Sequence, residues 1–144
     1  MNEDGNNLIS SLFESPENDM DSVAFPPPEL TEKIIGCAYK VSNTLGCGFL
    51  EKVYENSLAH ELRKAGFHVN QQQKIDVLYD GLVVGFYEAD IVVDGQVIIE
   101  AKAVRALEDA HKAQCLNYLK DTRIRLGLLI NFGTSRVEVK RVAL

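Results

Sequence analysis

Three residues of this chain are of the types that catalysis needs, and they stand where a folded protein resists putting them. Val97-Ile98-Ile99 is an unbroken apolar run, the pattern of a strand buried on both faces, and Glu100-Ala101-Lys102 follows it directly. Strand alternation turns Glu100 and Lys102 to one face and Ala101 to the other. A carboxylate and an ammonium at the end of a buried strand are unfavourable unless they pair or bind something. Asp90, on the preceding segment, is another acid in apolar company, among Ala89, Ile91, Val92 and Val93. Two carboxylates beside backbone carbonyls make an oxygen cage suited to Mg²⁺, or Mn²⁺ in its place. A neighbouring lysine can hold an attacking water and stabilise charge on a phosphoryl transition state. Phosphodiester hydrolysis needs those parts. The plain alternative is an ordinary Glu100–Lys102 salt bridge at a sheet edge, and the spacing D-x₉-E-x-K alone does not separate the two.

Asp90 and Glu100 belong to one site only if they share a face, and the Asp94-Gly95 turn decides that. A strict two-residue hairpin pairs Val93 with Gln96 and sends Asp90 to the face away from Glu100. A three-residue loop with Gly95 in the left-handed region restores even-to-even pairing and brings the carboxylates together. The site therefore requires the bulged form.

The elements that must position these residues are legible from periodicity. Thr31 is a good N-cap, and Ile34, Ile35, Ala38, Val41 and Leu45 recur at helical spacing until Gly46. A second helix is predicted over 50–65, with Leu50, Tyr54, Leu58, Leu62 and Ala65 on its inner face and Gly66 as its stop. Three strands follow, over 67–79, 82–93 and 96–102, separated by Asp80-Gly81 and Asp94-Gly95. A helix is predicted over 107–119, its inner side including Leu107, Ala110, Gln114, Leu116 and Tyr118. Strands over 126–132 and 136–142 flank Gly133-Thr134-Ser135. The order ααβββαββ implies an α/β domain with one mixed sheet and helices packed against it.

The length of 144 residues suits one domain, and 46% apolar with 25% charged residues is the balance of a globular one. No apolar run approaches the ~20 residues that span a bilayer, and the acidic start Met1-Asn2-Glu3-Asp4 is unlike a secretory signal, so a cytoplasmic address without membrane partners is expected. The net charge of −6 hides an asymmetry: residues 1–29 hold seven acids and no Lys or Arg, leaving 14 acids and 15 bases in residues 30–144. That gives a disordered acidic, Pro-rich leader over 1–29 and a near-neutral domain over 30–144, without the basic patch that marks a nucleic-acid surface. One apolar stretch of the leader, residues 8–13, could form a transient helix or dock on a partner. Cys37, Cys47 and Cys115 have neither metal nor redox spacing and read as small buried hydrophobes. His60, His68 and His111 share no ligand spacing and read as solvated or structural. Gln71-Gln72-Gln73 reads as an edge-strand feature.

Asp90…Glu100-Ala101-Lys102 resembles the PD-(D/E)XK nuclease signature in its αβββαβ setting. Gly48-Phe49-Leu50-Glu51-Lys52-Val53-Tyr54 resembles the G-x-x-E-x-x-Y motif of the GxxExxY family of that superfamily, and Ile34-Ile35-Gly36, Glu61-Leu62-Arg63, Asn117-Tyr118-Leu119-Lys120 and the run Gly127 to Gly133 agree with it. The resemblance covers residues 30–144 and implies a restriction-endonuclease-like fold, with Asp90 and Glu100 as metal ligands and Lys102 as the catalytic lysine. It makes Glu51 the acid that many members place on an early helix beside the metal. Gln114 and Tyr118 resemble the Q-x-x-x-Y element of the RecB-like branch, Gln114 toward Lys102 or a phosphate and Tyr118 toward a base, or toward the core. Ser42 stands where family members often carry His. The implied activity is Mg²⁺-dependent hydrolysis of DNA phosphodiesters; the alternative is a non-catalytic module binding nucleic acid or protein on the same fold. Whether the chain forms a homodimer is left open by the sequence.

Overall fold

A computed structural model describes residues 23–144, and most of the acidic leader, with the apolar stretch 8–13, lies outside the described residues. The elements run α1 (Pro28–Leu45), α2 (Glu51–Lys64), β1 (Val69–Tyr79), β2 (Leu82–Val93), β3 (Val97–Lys102), α3 (Asp109–Thr122), β4 (Leu126–Asn131) and β5 (Glu138–Ala143). The strands form one mixed sheet in the order β1-β2-β3-β4-β5, parallel between β3 and β4 and antiparallel elsewhere. This is the expected α/β architecture, and it makes β3 the central strand.

Two layers of core flank the sheet. Leu30, Ile34, Tyr54, Leu58 and Leu62 of α1 and α2 pack on Ile91, Val93, Val97, Ile99, Leu128 and Ile130. Tyr118 and Leu119 of α3 pack on the other face against Ile75, Val92 and Ile98. Alternation along β3 puts Val97, Ile99 and Ala101 toward α1 and α2. Ile98, Glu100 and Lys102 therefore fall on the α3 side.

Several helix details differ from expectation. α1 begins at Pro28, with Pro27 rather than Thr31 before its first turn, because proline's missing N–H costs nothing at a position that lacks a partner anyway. Thr31 is buried in the core instead. Leu50 and Ala65 are exposed, since they bracket α2 and fall beyond the strip that the sheet covers. α3 starts two residues later than predicted, at a capping box in which the Glu108 side chain and His111 each satisfy a backbone N–H of the first turn. That gives His111 its structural role. Ala110 and Gln114 are exposed, and Cys115, Tyr118 and Leu119 make the buried face. Of the cysteines only Cys115 is fully buried; Cys47 is exposed in the glycine-flanked loop between α1 and α2.

The end of β3 is clamped by a side chain for which the sequence suggested no role. Asn131, fully buried on β4, accepts from Val104 N and Gly133 N at 3.0 Å each and donates to Val104 O at 2.9 Å. A Cβ on Gly133 would lie 2.5 Å from Val104 N and 2.7 Å from Ala103 C, both backbone atoms that cannot step aside. Gly133→Ala is therefore expected to destabilise by about 3 kcal/mol, lowering Tm by about 10 °C. Gly36→Ala, on an exposed face of α1 where a Cβ meets nothing, is expected to raise stability by about 0.5–1 kcal/mol. Calorimetry of both variants checks the pair, and similar melting temperatures for the two would contradict the close-packed loop.

Candidate active site at a fork in the sheet

The geometry begins with the hairpin between β2 and β3. Its loop is Asp94-Gly95-Gln96, closed by Gln96 N donating to Val93 O at 2.9 Å, and the register is Val93↔Val97, Val92↔Ile98 and Ile91↔Ile99. This is the bulged parity that the site requires. Gly95 has φ 65° as expected, but Asp94 is left-handed as well, at φ 51°. His68 N donates to Asp94 Oδ1 at 2.8 Å, and His68 O accepts from Asp94 N at 2.8 Å, which ties the turn to the start of β1. Both bonds run through the His68 backbone, and the residue itself is exposed.

One rung past Ile91↔Ile99 the backbone ladder stops and carboxylates continue it. Ala101 N donates to Asp90 Oδ2 at 2.9 Å, and Asp90 N donates to Glu100 Oε1 at 3.4 Å. Side-chain oxygens occupy the places of ladder carbonyls, so Asp90 and Glu100 stand together in the fork where β2 leaves β3. No ion pair joins Glu100 to Lys102 among the described residues, and β3 is not an edge strand, so the salt-bridge alternative does not describe this site.

A third acid approaches from α2, one turn beyond Glu51. Glu51 is exposed in the first turn, whereas Glu55 is only 3% exposed. Gln72 Nε2 bridges the two acids, donating to Glu55 Oε1 at 2.7 Å and reaching Asp90 Oδ1 at 3.4 Å. Glu55 also accepts from Gln71 Nε2 at 2.8 Å and Lys52 Nζ at 3.1 Å. Gln72 does this from a left-handed backbone, φ 53°, directly opposite Asp90, a conformation that costs about 1 kcal/mol or more for a non-glycine residue. Strain of this kind beside an acid cluster is where a functional constraint is expected.

Of the other predicted residues, Lys102 is half-buried on the same face as Glu100. Gln114 is exposed on α3. Tyr118 is 4% exposed, its ring 3.9 Å from that of Tyr87, so it fills the core and offers no free face to a base. Tyr54, the tyrosine of the G-x-x-E-x-x-Y motif, is also structural: it stacks on Phe132 with centroids 4.9 Å apart, donates to Gly46 O and accepts from Phe49 N.

The electrostatics follow from burial. Removal from water, reinforced by the charge on Asp90, pushes the Glu100 carboxyl up to about 8, with Lys102 opposing the shift. Asp90 is raised too, by burial first and by Glu55, while the Ala101 N–H holds it down. Burial and the Glu100 charge push the Tyr118 phenol up to about 12. Both carboxylates ionised at neutral pH would be mutually repelling in a desolvated fork, and a divalent cation removes that conflict. Among the described residues no group of three or more His, Cys, Asp or Glu is placed to hold a metal. Asp90 and Glu100 are the two residues at the fork that could hold such a cation, with water supplying the remaining ligands that Mg²⁺ readily keeps.

A sequence profile described as the PD-(D/E)XK nuclease superfamily matches residues 28–142. No curated protein and no solved structure matches the chain.

Proposed function

The chain belongs to the PD-(D/E)XK nuclease superfamily, and from that premise we propose that it is a Mg²⁺-dependent nuclease hydrolysing DNA phosphodiester bonds. Nucleases of this superfamily generally use divalent metals. The observation that carries the reading is the fork: two carboxylates held in register by backbone N–H groups, Asp90 by Ala101 N and Glu100 by Asp90 N, with a half-buried lysine one alternation further along β3. Within the superfamily we place the chain in the GxxExxY family, on Gly48, Glu51 and Tyr54 in that spacing.

In this reading Asp90 and Glu100 hold the cation, which when bound supplies a Lewis acid at the scissile phosphate and a more acidic water. Lys102 stabilises the negative charge that builds on the phosphoryl oxygens as water attacks. Glu55 and Gln72 fix the rotamer of Asp90, so the acid of the early helix is assigned to Glu55 rather than to exposed Glu51. Gln114, exposed on α3 and without a side-chain hydrogen bond to Lys102, is assigned to a phosphate contact.

The test combines cation binding with cleavage. Mg²⁺ or Mn²⁺ well above its dissociation constant is expected to stabilise the protein by about 2–3 kcal/mol, a Tm rise of several degrees, and Asp90→Asn to abolish that rise. Cleavage of single- and double-stranded DNA is expected with the same cations and not with Asp90→Asn. A parent protein that shows neither the shift nor cleavage would leave a binding module on a nuclease fold as the reading.

A further inference from the structure

The β1–β2 hairpin projects beyond the rest of the sheet. β2 pairs with β1 along its whole length but with β3 only from Ile91 to Val93, so the β3-facing edge of residues 82–88 has no strand partner among the described residues. Six large apolar side chains crowd this arm: Leu78, Tyr79, Leu82, Val83, Val84 and Phe86, each between 59% and 71% exposed. Natural sheets guard open edges with charge. β5, at one border of the sheet, carries Glu138, Lys140 and Arg141, and β1, at the other, carries Lys74 and Asp76. On the open edge of β2, Glu88 at its inner end is the one charged residue, and Leu82 to Tyr87 carry none. Gly85 lies within this stretch with open space around it, and a glycine there lets a second backbone approach.

We propose that this arm is a dimerisation surface, and that β2 of one chain pairs antiparallel, edge to edge, with β2 of a second copy. Antiparallel pairing of a strand with its own copy is isologous, so one unguarded edge provides both halves of the interface. The six residues leave roughly 700 Å² of surface per chain, spread over the two faces of the arm, close to the ~800 Å² per partner of a stable interface. The pairing would satisfy the open backbone groups of both strands and cover the apolar side chains that flank them. It is independent of the nuclease reading, since none of the arm residues touches the fork.

Sedimentation equilibrium of the full chain tests it, from about 1 µM to about 100 µM. The parent is expected at twice the 16.0 kDa chain mass. Val84→Lys combined with Phe86→Glu, both on exposed positions, is expected to sediment as a monomer with an unchanged far-UV spectrum and intact Mg²⁺ response. A parent that stays monomeric throughout overturns the proposal and gives the arm to another protein or to residues 1–22. A dimer that survives the double variant overturns it as well, because association then uses another surface.

Discussion

Lys102→Met is expected to lower DNA cleavage by about 10²–10⁴-fold while leaving the melting temperature within about 2 °C of the parent. The two expectations separate because the lysine's backbone and side chain have different tasks. Its carbonyl accepts from Phe132 N at 2.8 Å and its position pairs with Asn131 in the parallel register, both of which a methionine preserves. Its ammonium makes no ion pair among the described residues, so removing it strands no partner. What is lost is positive charge beside Glu100 and, in the proposed reaction, beside the phosphoryl oxygens. Single-turnover cleavage by the purified parent and variant at saturating Mg²⁺ is the measurement. Equal rates would remove Lys102 from the chemistry and with it the mechanism proposed for the fork.

Glu100→Gln is expected to change how stability depends on pH. In the metal-free protein the Glu100 carboxyl titrates near 8, against 4.5 for the same group in an unfolded chain. Between those values the native state holds a proton that the unfolded state has released, so stability falls as pH rises and levels off above the native pKa. The loss approaches a few kcal/mol over that window. A glutamine keeps the acceptor for Asp90 N without the ionisation, so Glu100→Gln should lose most of this slope and exceed the parent in stability above pH ~8. Asp90 is also raised, so a shallower dependence persists at lower pH. Saturating Mg²⁺ should flatten the parent's curve, since the cation favours the ionised pair. Urea unfolding in chelator and in Mg²⁺ across pH 5–9 reads all three curves. Parallel curves for parent and variant in chelator would mean that Glu100 is not displaced.

How far the sequence reaches is clearest on α2 and β1. The strip Tyr54, Leu58, Leu62 was readable at helical spacing, and Glu55 stands beside it with Leu58 and Ala59 in the next turn, a charge inside the apolar arc. That is a usable signal, and the G-x-x-E-x-x-Y motif diverted it to Glu51 by emphasising the residue one turn earlier. Gln72 had no comparable signal. Nothing in Gln71-Gln72-Gln73 announces which glutamine adopts a left-handed backbone or turns toward an acid from another strand. Asn131 is intermediate, a polar residue at the end of the apolar run Leu128-Leu129-Ile130, visible as an anomaly but not as a clamp on residue 104.

By itself the sequence determined the element order, the α/β class, and Asp90, Glu100 and Lys102 as the residues to watch, because periodicity and buried charge are local properties of a chain. It also reduced the pairing of the two acids to one question of loop parity. The tertiary structure alone decided that question in favour of a bulged Asp94-Gly95-Gln96 loop. It also made β3 central, opened the sheet at Asp90, and left Glu51 exposed while burying Glu55 one turn on, where Gln72 links it to Asp90. Those outcomes depend on where strands part and which helix turn faces the gap, and such long-range packing leaves no mark at any single position of the chain.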